Sequence, residues 1–191
     1  EQGTPANPLA AYARRWHGFL AQAACGAVAP DVAVIGGGVA GCELAMAMAH
    51  ALRVKGIAAQ VTLIEAGPEI TGMGYRARQK VKAAMAGLGI TLRTGAKVQE
   101  VTEQVVILSD GPPVPAALCV GAAGAFPHDW IAKTDLPQRD GFIEVGRDFG
   151  VTGDKSLFAV GDCAIMPAAH RPKAGVYAVR AAPVLHHTLR V

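Results

Sequence analysis

The feature that most constrains this 191-residue chain is a glycine-rich turn between an apolar strand and an apolar helix. The turn has the sequence Gly36-Gly37-Gly38-Val39-Ala40-Gly41 and follows a β-branched run from Asp31 to Ile35. A helix rich in alanine, leucine and methionine is predicted after it, over Val39 to Val54. Strand, glycine turn and helix in this order form the fingerprint of a dinucleotide-binding fold, which receives a pyrophosphate at the helix N-terminus.

Each residue of the fingerprint has a separate physical task. Only glycine allows the tight turn at Gly36, the close approach of backbone to phosphate at Gly38 and the close packing of helix on strand at Gly41. The first N–H groups of the helix, at Val39 and Ala40, have no intrahelical partner and attract an anion together with the helix dipole. We therefore predict that these five residues bind the pyrophosphate. The alternative is a glycine turn that only packs a helix against a strand.

A carboxylate stands where the cofactor's adenosine ribose is expected. The segment Gln60 to Ile64 is a predicted second strand, and Glu65 follows it directly. A carboxylate at this strand end accepts hydrogen bonds from ribose hydroxyls and repels a 2′-phosphate. Because no arginine directly follows Glu65, the sequence predicts NAD(H) rather than NADP.

The chain is predicted to have an α/β fold, with a Rossmann-like three-layer domain that combines a parallel sheet with an antiparallel β-meander. Further helices are predicted over Asn7 to Ala24, Tyr75 to Gly87 and Lys173 to Val191. Asn7 and Pro8 are predicted to form the N-cap and first turn of the first helix. Pro183 is expected to kink or interrupt the last helix. The predicted strands that remain are Ile90–Arg93, Lys97–Val101, Val105–Leu108, Val114–Val120, Gly141–Val145 and Ser156–Val160.

Composition and charge exclude several classes of partner. The net charge of +3 is spread along the chain without a long basic run, so we predict no nucleic-acid partner. The longest uncharged stretch, Gly111 to His128, contains prolines and glycines, which argues against a membrane span. The chain shows no secretory signal, so a cytoplasmic location is expected, with peripheral association with a membrane left open.

Basic residues recur along the predicted helix from Tyr75 to Gly87. They are interpreted as a solvated face, as exposed helices normally carry such charges. These residues are Arg76, Arg78, Lys80 and Lys82.

The cysteines and histidines predict no redox pair and no metal site. Cys25, Cys42, Cys119 and Cys163 are too far apart for a CxxC or CxxxxC motif, so buried, reduced thiols are expected. Cys42 lies just past the glycine turn, where a helix N-terminus can lower a thiol pKa. The adjacent His186 and His187 point in different directions on a helix and make poor joint metal ligands.

The combined pattern resembles the pyridine nucleotide-disulfide oxidoreductase superfamily. The resemblance rests on Gly36-x-Gly38-x-x-Gly41-x-Glu43, Glu65, the meander and the segment Phe158 to Ala164. It implies a two-domain flavoprotein that transfers hydride from NADH to FAD. It also implies that Glu43 lies near the nicotinamide end of the cofactor, and that Asp162, after Gly161, binds the flavin's ribityl-phosphate region. The alternatives are a carboxylate that is satisfied in the first turn of a helix for Glu43, and an ordinary turn aspartate at a strand end for Asp162.

Within the superfamily, the chain resembles the type II NADH dehydrogenase-like flavoproteins. This resemblance rests on the lack of a redox CxxxxC motif, on the strand end Val120 to Gly124 and on Arg171 to Arg180. It is greatest to the flavoproteins fused to, or encoded beside, selenide, water dikinase. It implies that Gly121 is a cofactor-binding position and that Lys173 and Arg180 face the flavin or an acceptor, with ordinary surface charges as the alternative.

The resemblance also implies how the chain is organised. Residues 1–29 are expected to form a leading helix and linker, residues 30–124 an NAD(P)-binding domain, and residues 125–191 the C-terminal portion of an FAD-binding domain. The first half of the FAD domain is expected to lie outside this sequence, and the chain is expected to be an inactive part of a longer protein. The strand Ser156–Val160 would then lack parallel partners, which a homodimer could cover.

Two alternative functions stay open at this point. One is a dinucleotide-binding module without its own turnover. The other is a stand-alone NAD-dependent dehydrogenase, although the sequence shows no Tyr-x-x-x-Lys pair and no His/Asp dyad for proton transfer. No catalytic residue is assigned from the sequence.

Overall fold

A computed structural model describes residues 4–5, 9–122, 124, 126–169, 171 and 173–190. The N-cap and first turn predicted at Asn7 and Pro8 lie outside these residues.

The chain divides into two compact units, Glu1–Ala123 and Gly124–Val191. The elements of the first unit are β1 (Thr4–Pro5), α1 (Leu9–Ala24), β2 (Asp31–Ile35), α2 (Val39–Val54), β3 (Gln60–Ile64), α3 (Tyr75–Gly87), β4 (Thr91–Arg93), β5 (Val98–Val101), β6 (Val105–Leu108), β7 (Val114–Pro115) and β8 (Leu118–Gly121).

A parallel sheet with the strand order β1-β8-β2-β3-β4 organises the first unit. Its central strand β2 is buried through Val32, Ala33 and Val34, as expected for a parallel strand that is covered on both faces. From β2, helix α2 leads to β3 on one side, whereas β8 pairs with β2 on the other side. The carboxyl ends of β2 and β8 therefore border a topological switch point, where open α/β sheets bind their ligands.

Alternating side chains of the sheet pack against two different layers. Val32 and Val34 belong to the core formed with the helices, which also contains Phe19, Met48 and Met85. Ala33 and Ile64 point to the other face and pack with Val106 and Val114 of the antiparallel strands β5, β6 and β7. The predicted three-layer α/β arrangement, with a parallel sheet and an antiparallel meander, is confirmed.

The prediction of one strand from Val114 to Val120 was wrong. The segment divides into β7, which pairs with β6, and β8, which joins the parallel sheet beside β2. Pro115 ends β7, because proline lacks the N–H group that a central strand needs. The short strand β1, which the sequence did not predict, pairs with β8 at Thr4 and Pro5.

The second unit contains short strands and one long helix. Its elements are β9 (Gln138–Arg139), β10 (Phe142–Glu144), β11 (Gly150–Val151), β12 (Asp154–Phe158), β13 (Ala164–Ile165) and α4 (Gly175–Thr188), with 3-10 turns at Ile131–Lys133, Gly161–Cys163 and Pro167–Ala169. Strands β13, β10 and β9 form one sheet, and β11 and β12 form another. Its core contains Ile131, Ile143, Val145, Phe149, Val151 and Ala181.

The bounds predicted for the strand Ser156–Val160 were also wrong, and the strand has an antiparallel partner that the sequence did not predict. The strand is Asp154–Phe158, and it pairs antiparallel with β11. Gly153 adopts φ 86° in the two-residue connection between them, a conformation that favours glycine and turns the chain back on itself. A local hairpin therefore supplies the backbone pairing.

Helix α4 begins at Gly175 and continues through Pro183. The predicted start at Lys173 was wrong. Of the two effects expected of Pro183, a kink or an interruption, the interruption does not occur. Ala181 is buried in the core of the second unit and Leu185 packs against that core, so contacts on both sides of Pro183 hold the helix. The proline removes one backbone hydrogen bond without ending the helix.

Helix α2 provides a test of the core. Met48 is 1% exposed and Val54, in the same helix, is 71% exposed. We expect Met48→Ala to lower the free energy of unfolding by about 2–5 kcal/mol, because it leaves a cavity between helix and sheet. Val54→Ala should change it by less than about 0.5 kcal/mol. Urea denaturation followed by circular dichroism measures both, and equal losses would contradict this packing.

Candidate dinucleotide-binding site

The glycine turn requires glycine at its first and last positions, for different reasons. Gly36 has φ 110° and donates its N–H to the Ile64 carbonyl at 2.8 Å. A Cβ atom at Gly41 would lie 1.8 Å from the Gly36 carbonyl oxygen. Helix α2 can therefore pack this closely on the end of β2 only with glycine at position 41.

At Gly38 the same turn is open. Gly38 is the N-cap of α2, with extended backbone angles, and a Cβ atom there would meet no atom within 4 Å. The N–H of Cys42 donates back to the Gly38 carbonyl at 3.0 Å. The N–H groups of Val39, Ala40 and Gly41, which precede it, have no intrahelical acceptor. This helix end offers backbone donors beside open space, which is the arrangement that binds phosphate.

The carboxylate of Glu65 holds the turn from the neighbouring strand. Its Oε2 accepts a hydrogen bond from the Gly37 N–H at 2.6 Å, and its Oε1 accepts one from the Gly67 N–H at 2.7 Å. A Cβ atom at Gly37 would lie 2.8 Å from the Glu65 Cβ. Each carboxylate oxygen accepts more than one hydrogen bond, so capacity for ribose hydroxyls remains. The sequence indicated a ribose-binding acid, but not its bond to Gly37.

The loop after β3 also fastens the Gly37 carbonyl. The Thr71 N–H donates to this carbonyl at 2.9 Å, and the Cys42 thiol approaches it at 3.7 Å. A Cβ atom at Gly72 would lie 3.1 Å from Cγ2 of Val39. The loop therefore lies against the first residues of α2, and Glu65 and Thr71 together hold the N–H and the carbonyl of Gly37.

The suggestion of a lowered Cys42 pKa was wrong. Cys42 is buried, and burial raises the pKa of its thiol, with further increases from the charges of Glu65 and Glu43. Burial likewise raises the pKa of Cys119 to about 11, against the opposing charge of Arg15. The expectation that all four cysteines are buried was also wrong, because Cys25 is exposed and Cys163 is half-buried.

Two further predicted residues lie near the switch point. Gly121 is in register with Ile35, and the next N–H, from Ala122, donates to the Ile35 carbonyl at 2.7 Å. Glu43 is exposed in the first turns of α2, and no hydrogen bond or ion pair joins its carboxylate to another described residue. The fold thus gathers Gly36 to Gly41, Glu65 and Gly121 around the carboxyl ends of β2 and β3.

The second unit contains the other predicted site residues. Gly161 has φ 74°, and the adjacent Asp162 is exposed in the 3-10 turn. Both line a pocket that Lys173 and Tyr177 also line.

Lys173 is only partly exposed, whereas Arg180 is exposed. The Lys173 ammonium donates to the Ala164 carbonyl and lies 4.0 Å from the centre of the Phe142 ring. Burial lowers the pKa of Lys173, and the charges of Asp162 and Cys163 oppose this effect. The interpretation of Lys173 as an ordinary surface charge does not fit these contacts.

Among the described residues, no helix combines the length and apolar character needed to cross a membrane. The same part of the chain contains no group of three or more His, Cys, Asp or Glu side chains placed to hold a metal ion.

Gly41→Ala tests the close contact of helix and strand. The added methyl group would overlap the Gly36 carbonyl, so we expect a loss of about 3 kcal/mol or more in the free energy of unfolding. Gly38→Ala, where the methyl group meets no atom, should cost less than about 1 kcal/mol. Chemical denaturation of the two variants checks the prediction, which similar losses would contradict.

Thiol labelling tests the burial of Cys42. With iodoacetamide we expect rapid labelling of the exposed Cys25 and at least about hundredfold slower labelling of Cys42 and Cys119, because buried thiols of raised pKa supply little thiolate. Mass spectrometry of digested samples assigns the sites. Denatured chain, in which all sites should react at similar rates, is the control, and rapid native labelling of Cys42 would refute its burial.

Comparisons with known proteins agree with this geometry. The family described as pyridine nucleotide-disulphide oxidoreductase matches residues 19–182. Type II NADH:quinone oxidoreductase of Haemophilus influenzae is 29% identical over 154 residues, which cover 71% of this chain and 33% of the relative. Rubredoxin-NAD(+) reductase of Ectopseudomonas oleovorans is 32% identical over 143 residues, which cover 71% and 35%.

A solved structure shows the same fold. The Plasmodium falciparum NDH2 structure in complex with NADH superposes with a TM-score of 0.71 at 17% identity, over 86% of this chain and 40% of that one. The chain spans 21% to 36% of the length of the curated relatives that it matches. Because the family match extends over more than half of the sequence, the chain belongs to the pyridine nucleotide-disulphide oxidoreductase family.

Proposed function

We propose that this chain is the NADH-binding portion of an FAD-dependent oxidoreductase that transfers hydride from NADH to flavin and then to an acceptor. The observation that carries the proposal is the turn from Gly36 to Gly41. It presents backbone N–H groups at the start of α2, leaves open space at Gly38 and has no room for a side chain at Gly41. A pyrophosphate needs these donors and this space, and it needs no cationic side chain.

The adenosine end of the cofactor is assigned to Glu65. Its carboxylate is fixed by the N–H groups of Gly37 and Gly67, so it is oriented before any ligand arrives. The lone pairs that remain would accept hydrogen bonds from the ribose hydroxyls. The same negative charge repels a 2′-phosphate, which supports NADH over NADPH.

The nicotinamide end is assigned to the carboxyl ends of β2 and β8. Gly121 lies there beside Ile35, and its lack of a side chain lets a planar ring approach the backbone. Glu43, exposed in α2, is proposed to accept a hydrogen bond from the nicotinamide ribose or carboxamide. The contribution of these residues to hydride transfer is orientation.

Residues of the second unit suit a flavin. Gly161 takes a left-handed conformation, and the carboxylate of the next residue, Asp162, is exposed. This carboxylate can accept hydrogen bonds from ribityl hydroxyls. When bound, FAD supplies the acceptor of the hydride. The relatives are named for quinone and for rubredoxin, so the proposal does not specify the final acceptor.

Two matched glycines test the cofactor site. Gly38 and Gly74 are both helix N-caps with extended backbone angles, and a Cβ atom at either meets no atom within 4 Å. We expect Gly38→Ala to weaken NADH binding by about tenfold or more, because its methyl group enters the space assigned to the pyrophosphate. Gly74→Ala should leave binding unchanged. Isothermal titration calorimetry with NADH measures both, after denaturation curves establish that each variant is folded.

Absence of NADH binding by the folded wild-type chain would refute the proposal. Equal weakening by Gly38→Ala and Gly74→Ala would refute the assignment of the pyrophosphate to Gly38. Titration with FAD separates the alternative functions. Stoichiometric flavin uptake with NADH oxidation indicates a complete enzyme, whereas NADH binding without flavin uptake indicates a binding module.

A further inference from the structure

One glutamate in the loop after β3 holds two basic side chains of helix α3. The Lys82 ammonium lies 3.0 Å and 3.2 Å from the two carboxylate oxygens of Glu69, and Nη1 of Arg78 lies 4.0 Å from Oε2. Arg78 and Lys82 are one helical turn apart, so both face the same carboxylate. Arg76 and Lys80, which alternate with them in sequence, are exposed. The basic residues of α3 therefore do not form one uniform solvated face.

The contacts of Arg78 are incomplete. Its Nε is buried, and it has no hydrogen-bond partner among the described residues. Its guanidinium approaches Glu69 only at the limit of an ion pair, with 28% of the side chain exposed. A guanidinium carries donors suited to a multivalent oxyanion, and one shared carboxylate does not satisfy them. The cluster formed by Glu69, Arg78 and Lys82 thus has capacity to bind further negative charge.

Glu69 lies four residues after the carboxylate assigned to the adenosine ribose, in the same loop. Gly67 lies between the two acids in sequence and donates to Oε1 of Glu65 at 2.7 Å. A Cβ atom at Gly67 would lie 3.1 Å from that same oxygen and 3.8 Å from the Glu69 carbonyl oxygen. The backbone of Glu69 and the carboxylate of Glu65 therefore flank one residue.

The chemical difference between NADH and NADPH is a 2′-phosphate with about two negative charges near neutral pH. Rossmann-like proteins that accept this phosphate place an arginine near the ribose. Here Glu69, whose backbone carbonyl lies beside Gly67, engages two basic side chains of α3. Ion pairs as exposed as these add little to stability, so neutralisation of the two cations is the main consequence of the arrangement.

We propose that Glu69 is a specificity-determining residue, which holds Arg78 and Lys82 in ion pairs and so prevents them from binding the 2′-phosphate of NADPH. The proposal rests on the assignment of the adenosine ribose to Glu65. Selection of NADH then depends on two carboxylates: Glu65 repels the phosphate directly, and Glu69 engages the cations that would attract it.

Titration of the wild-type chain and its variants with NADH and with NADPH tests this role. We expect Glu69→Gln to tighten NADPH binding about tenfold, because the released cations form charge-assisted hydrogen bonds to the phosphate, and to change NADH binding less than about twofold. The gain should decrease as salt concentration rises. Adding Arg78→Ala and Lys82→Ala to this variant should abolish the gain.

A control variant separates this effect from a change in net charge. Glu103→Gln removes one exposed carboxylate from the connection between β5 and β6, and it should alter neither affinity. Equal tightening of NADPH by Glu103→Gln, equal tightening of both nucleotides by Glu69→Gln, or a gain that survives loss of Arg78 and Lys82 would each overturn the inference. If the wild-type chain binds NADH but Glu69→Gln leaves the ratio of affinities unchanged, this inference fails and the proposed function stands. If the folded wild-type chain binds neither nucleotide, both fail.

Discussion

The hydrogen bond from the Gly37 N–H to the Glu65 carboxylate connects the elements on which the candidate site depends. It joins the turn after β2 to the end of β3, and its 2.6 Å length is that of a charge-assisted bond. The Thr71 N–H donates to the carbonyl of the same residue, Gly37. Because the protein binds the peptide groups on both sides of the Gly37 Cα, the N–H groups that follow in α2 keep a fixed direction. Anion binding at a helix terminus relies on such fixed donors.

The position of this site follows from the order of the strands. Helix α2 leads from β2 to β3, while β8 returns to the opposite side of β2, so backbone segments separate at the carboxyl ends of β2 and β8. Close packing maintains the separation, since Gly41 brings α2 against the Gly36 carbonyl and the meander covers the other face of the sheet. The same packing that stabilises the three layers therefore forms the crevice proposed to receive the cofactor.

The loop between β3 and α3 combines structural and chemical roles within a few residues. Glu65 fixes the glycine turn, Thr71 fastens it, and Glu69 engages Arg78 and Lys82. Under the proposed assignment of the adenosine ribose to Glu65, these contacts make the charge around that ribose a property of the whole loop. A single acid at a strand end then explains only part of the proposed selectivity, because cations from a neighbouring helix contribute to the same local field.

The sequence by itself determined the elements around the glycine turn, because the alternation of strand residues, the helix-forming composition of α2 and the glycine spacing are local properties. The bounds predicted for β2, α2, β3 and α3 are those of the structure. Local sequence did not determine which sheet each half of Val114 to Val120 joins, because that depends on partners distant in sequence. Nor did it determine the hairpin that pairs Asp154–Phe158 or the continuity of α4 through Pro183, which depend on strand pairing and on burial. The bond from Gly37 to Glu65 and the ion pairs of Glu69 likewise join residues 28, 9 and 13 positions apart. Only the tertiary structure could decide these contacts, since they form when β2, β3 and α3 pack together.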